Sequence, residues 1–149
     1  MTGRLRFLSP DECGPEVELE GDGLGKLEVR GEVASLEPEA GEELLPLGPG
    51  RALLVREGGT RQARDRLGAA GYRVYDVTSG LAAVEVAGED AMRRLTELDL
   101  DALPATGSVA RGVRALVQRR EGGRFRLFVP AELACYVAGV VADTAEGLR

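Results

Sequence analysis

The stretch from Asp76 to Leu103, DVTSGLAAVEVAGEDAMRRLTELDLDAL, sets the tightest limit on what this chain can fold into. A strand over 72–78 meets a Ser79-Gly80 turn, and a second strand over 81–87 follows at once. So tight a turn joins antiparallel strands, and the expectation is a hairpin. Glu89 and Asp90 then put negative charge at the start of a helix, where the dipole favours it, and Met92, Leu95 and Leu98 give that helix an inward face.

The same grammar extends in both directions. Upstream, 52–55 reads as a short apolar strand and Gly58-Gly59-Thr60 as a turn with Thr60 as N-cap. A helix over 61–70 follows, with Ala63, Leu67 and Ala70 on one face and Gly71 as its stop. Downstream, Pro104 and Gly107 close the segment. Runs 113–119 and 124–129 alternate around Glu121-Gly122-Gly123 as a second hairpin, with Phe125, Leu127 and Val129 on one face. Pro130 suits the first turn of a last helix, where Leu133, Tyr136, Val137, Val140 and Val141 make an apolar stripe. From Arg51 the order is β-α-β-β-α-β-β-α. That order predicts an α+β fold, a largely antiparallel sheet with helices packed on one face and split-βαβ character.

The 149 residues suit one domain. Residues 1–50 read as an acidic segment within it, with half-exposed strands at 16–20 (EVELE) and 25–31 (GKLEVRG) and an irregular Pro/Gly/Glu-rich connector over 34–50. Residues 51–149 form the main α+β body. Twelve acids oppose Arg4, Arg6, Lys26 and Arg30 in the first fifty residues, a balance of −8, while the remainder carries +2. That acidic third repels phosphates and argues against nucleic-acid binding. No apolar run approaches a membrane span, and the first residues lack a signal peptide's apolar core, so a cytoplasmic location is expected. Cys13 and Cys135 do not make a disulfide framework; Cys135 is read as a small packing residue.

Catalytic chemistry is sparse. The absence of His excludes Ser-His-Asp and Cys-His nucleophilic catalysis and any His-ligated metal. Gly21–Lys26 lacks the spacing of a phosphate loop. Asp99 and Asp101 read as turn residues rather than cation ligands, and Thr78 and Ser79 as turn caps beside Asp76. No catalytic, cofactor-binding or metal residue is assigned. Eighteen of the nineteen basic residues are arginines. They cluster around the first helix (Arg56, Arg61, Arg64, Arg66) and on the second hairpin. There Arg114, Arg119, Arg124 and Arg126 are the candidates for gripping a carboxylate or an acidic partner. The competing structural reading makes them the solvated face of a strand pair, alternating with Phe125 and Leu127.

Several short motifs carry a resemblance over about 45–149. They are Leu47-Gly48-Pro49-Gly50 before the 52–55 strand, Asp76-Val77-Thr78-Ser79-Gly80, the helix start Gly88-Glu89-Asp90-Ala91, the exit Leu98-Asp99-Leu100, and the strand from Phe125 followed by a helix. In order and spacing they resemble the folate-binding aminomethyltransferase domain of the glycine-cleavage T-protein, and most of all the gamma-subunit family of heterotetrameric sarcosine oxidase. The run matching the T-protein's catalytic strand, Gly112 to Val117, has no carboxylate. The Lys-Gly-Cys signature of the fold's iron–sulfur-assembly relative is absent too. The resemblance therefore implies a scaffold without an active site: a non-catalytic accessory subunit docking to larger flavin- and folate-bearing chains, with no cofactor of its own. The alternative is a stand-alone binder of a folate-like or other small carboxylate, or a homo-oligomer.

Overall fold

A computed structural model describes residues 23–148. The strand expected at 16–20 and Cys13 lie outside them. The described chain divides into two compact units, 23–79 and 80 onward.

The first unit contains β1 (Leu24–Arg30), β2 (Glu42–Gly48), β3 (Arg51–Glu57), α1 (Arg61–Ala69) and β4 (Arg73–Asp76), with sheet order β2-β3-β1-β4. β3 and β4 both pair antiparallel with β1, which lies between them, so β3-α1-β4 is a split βαβ. Alternation along the strands sends Leu27, Val29 and Leu54 to one face, where they bury against Ala63 and Leu67 of α1, with Tyr72 and Val74 partly buried beside them. β2 falls within the run read as a connector. Pro46 and the glycines suggested punctuation, but β2 is an edge strand, where a missing N–H is tolerated, and the register shifts between Pro46 and Gly48.

The second unit contains β5 (Leu81–Ala87), α2 (Glu89–Leu95), β6 (Ala105–Val109), β7 (Val113–Arg120), β8 (Arg124–Pro130) and α3 (Ala134–Gly147), with order β5-β8-β7-β6, all antiparallel. The hairpin expected across Ser79-Gly80 does not form: β4 pairs with β1 and β5 with β8. A period-2 pattern gives each strand's faces but not its partner. The β7–β8 hairpin does form around Glu121–Gly123. Phe125, Leu127 and Val129 share one buried face as expected, packed with Val84, Val86, Met92, Leu95, Val137 and Val141. Leu133 and Tyr136, assigned to the apolar stripe of α3, are instead exposed, and Ala134, Ala138 and Gly139 are buried. Gly107 lies inside β6 rather than ending a segment. A Cβ there would sit 2.6 Å from Leu98 Cδ2, so glycine admits the leucine.

Together these units make an α+β fold of two antiparallel sheets and three helices. A comparable close approach occurs at Gly25 on β1, whose added Cβ would lie 2.6 Å from both the Gly58 carbonyl oxygen and Thr60 Cγ2. Gly25→Ala is expected to lower the urea midpoint by an amount equivalent to about 1–3 kcal/mol, because the obstacle includes backbone. Gly59→Ala, where the methyl meets open space, is expected to leave it within about 0.5 kcal/mol.

Candidate functional site

The four arginines singled out on the β7–β8 hairpin part company in the structure. Arg114 and Arg124 are exposed. Arg119 is held in place: Nη1 donates to the Leu100 carbonyl at 3.0 Å, Nη2 to Glu89 Oε2 at 3.3 Å, and the guanidinium lies 5.3 Å from the Phe125 ring centroid. Glu89 also accepts Arg93 Nη2 at 2.7 Å, and hydrogen bonding to Arg93, then the nearby Arg119, holds its carboxyl below the ordinary glutamate range. Arg119 therefore ties β7 to the start of α2 and the turn after it. Arg126 departs from the solvated-face reading: it is 5% exposed. The ladder sets it opposite Gln118 on β7 and Glu85 on β5. Its Nη1 lies 3.5 Å from Gln118 Oε1. The sheet's second face is thus polar at its centre but buried, and alternation alone does not distinguish a buried polar row from a wet one.

The helix arginines also separate. Arg66 reaches Glu42 Oε1 at 2.6 Å and Glu39 Oε2 at 3.0 Å, and Arg56 faces Glu42 Oε2 at 4.0 Å. Arg61 and Arg64 instead line a groove of about 680 Å³ with Gly59, Thr60, Asp65, Gly68, Tyr72 and Val74. Proximity in sequence groups these arginines, but Arg66 pairs with residues 24 and 27 positions away while Arg61 and Arg64 lie over the groove.

One hydrogen-bonded chain braces the groove. Thr60 occupies the N-cap position but makes no capping bond. Its hydroxyl donates to Asp76 Oδ2 at 2.6 Å. Asp76 Oδ1 accepts the Thr78 N–H at 2.9 Å, an Asx turn. Thr78 Oγ1 accepts the Lys26 N–H at 3.0 Å, and Lys26 Nζ reaches the Thr78 carbonyl at 3.4 Å. Lys26, the only lysine, is 1% exposed. Its burial was not legible in the sequence, since a lysine on an alternating strand ordinarily marks the wet face.

No known family's sequence profile matches the chain, and no curated protein matches it by sequence. The fold has solved counterparts. A chain of the heterotetrameric sarcosine oxidase from Corynebacterium sp. U-96, determined in complex with pyrrole 2-carboxylate, superposes with a TM-score of 0.70 at 16% identity, over 84% of this chain and 80% of that one. The likeness establishes a sarcosine-oxidase-subunit-like fold, and the two coverages make the chains nearly equal in length.

The bonds from Thr60, then Thr78, hold the Asp76 carboxyl below the ordinary aspartate range. A pKa lowered in the folded state means stability present above the unfolded value of about 3.9 and lost as pH falls through the folded value. Melting temperature should therefore drop on acidification below about pH 4. Thr60→Val should cost about 1 kcal/mol near neutrality and shrink the acid-dependent part of the drop. Thermal melts of both proteins across this range provide the check; equal pH profiles would contradict the role given to Thr60.

The hairpin arginines allow a contrast. Arg119→Ala should lower stability by about 1 kcal/mol through its carbonyl bond and ring contact. Arg114→Ala should stay within about 0.5 kcal/mol. Denaturant midpoints of the two variants measure both.

Proposed function

We propose that this chain is a non-catalytic accessory subunit of a heteromeric enzyme of the sarcosine-oxidase type, resembling its gamma subunit and docking to larger chains that carry flavin and folate sites. The observation that carries the reading is the likeness, at matching length, to a chain of a heterotetrameric oxidase. The side chains support it. The chain has no histidine, and the hydrogen-bonded polar groups at Asp76 and Arg119 brace elements of the fold. Arg114 and Arg124 stand exposed on one hairpin, suited to acidic partner surface.

Native purification of the tagged chain from its own cells, with visible absorbance recorded on the eluate, is the test. The expected result is a yellow complex containing larger chains. A colourless protein recovered alone or as a homo-oligomer would overturn the reading.

A further inference from the structure

We propose that the groove between α1 and β4 is a docking cleft for an extended, acidic segment of a partner polypeptide, which adds as a further strand along β4. The inference rests on the docking reading above and assigns it a place on the molecule.

The backbone supplies the first argument. β4 is the edge of its sheet, and among the described residues no strand pairs with its far side. The Val77 N–H donates to the Lys26 carbonyl at 2.9 Å, which marks Lys26 and Val77 as a hydrogen-bonded pair. Alternation along the antiparallel ladder then assigns the bonds with β1 to Tyr75 and Arg73. The N–H and C=O groups of Val74 and Asp76 are left directed outward. All four β4 residues are exposed or half-buried, so this edge is open to a new strand.

The groove supplies the second. Tyr72 and Val74, two apart on the chain, form one side, and Arg61, Arg64 and Gly68, at helical spacing, form the other. Gly68 is the informative residue. It lies inside α1 with an ordinary φ, and a Cβ there would meet nothing within 4 Å. Neither sterics nor backbone conformation requires glycine, although glycine is the least favourable residue after proline in a helix interior. Its effect is a helix wall kept low where a second backbone would pass.

Charge decides the class of segment. The lining presents Arg61 and Arg64 against the carboxylate of Asp65, and the nearby Asp76, which Arg64 also attracts, is already engaged by Thr60 and Thr78. Strand addition with side chains dropping into a flanking groove is an established mode of peptide recognition, and acidic side chains suit these guanidiniums. A small acid would meet the arginines but leave the outward backbone of Val74 unpaired.

The test is selection from a random-peptide display library against the isolated 149-residue chain, followed by titration of the selected peptides. Expected are peptides with Asp or Glu at alternating positions, whose binding protects the amides of Val74 and Asp76 from hydrogen exchange. The double variant R61E/R64E should weaken binding about tenfold or more. V74P, which removes an outward N–H that the β1 ladder does not use, should do the same. G68A should keep or raise the melting temperature yet lower affinity, so lost binding there is not lost folding. Failure to select any peptide that depends on these residues would overturn the proposal. So would binding that leaves the two amides unprotected, or inorganic phosphate or succinate perturbing the groove where no peptide does. The selection needs no flavoprotein, so an empty groove and a missing heteromeric complex are separate results.

Discussion

In a β-β-β-α-β unit the strand ladders do not say where the helix begins relative to the last strand; the Asp76 carboxylate does. One oxygen receives the Thr60 hydroxyl at the start of α1 and the other the Thr78 amide beyond β4, while Thr78 bonds the backbone of Lys26 on β1. Three elements meet at one anion, and charge-assisted hydrogen bonds are the stronger kind. Thr60 forgoes the usual N-cap role to make its bond. The helix start is thus held by its neighbour's side chain, and Thr60, the anchored residue, also lines the groove between α1 and β4.

The second unit is organised around an apolar face in place of an ion. β5, β7 and β8 direct Val84, Val86, Val117, Phe125, Leu127 and Val129 toward α2 and α3, whose buried residues are mostly small or branched. Arg119 then fastens the edge of this arrangement by bonding the Leu100 carbonyl. An arginine chosen for its charge turns out to be a strut, and Arg126 a buried member of a polar row. Of the arginines in the two clusters, Arg114 and Arg124 on the hairpin and Arg61 and Arg64 on the first helix are left facing outward.

Among the described residues the outer edge of β4 has no paired strand, and Arg114 and Arg124 stand exposed on the β7–β8 hairpin, in a fold shared with a chain of a heterotetrameric sarcosine oxidase.

Sequence by itself determined the α+β class, the helices α1 to α3, the β7–β8 hairpin and the inward face of β8. Those features depend on local periodicity and turn chemistry, which a chain carries in every short window. It did not determine which strands pair: β4 and β5, adjacent in sequence, belong to different sheets, and β2 is a strand despite its proline. Nor did it separate Arg66 from Arg61, or reveal Lys26 as buried. Those outcomes depend on partners tens of residues away, and only the tertiary structure brings them within bonding distance.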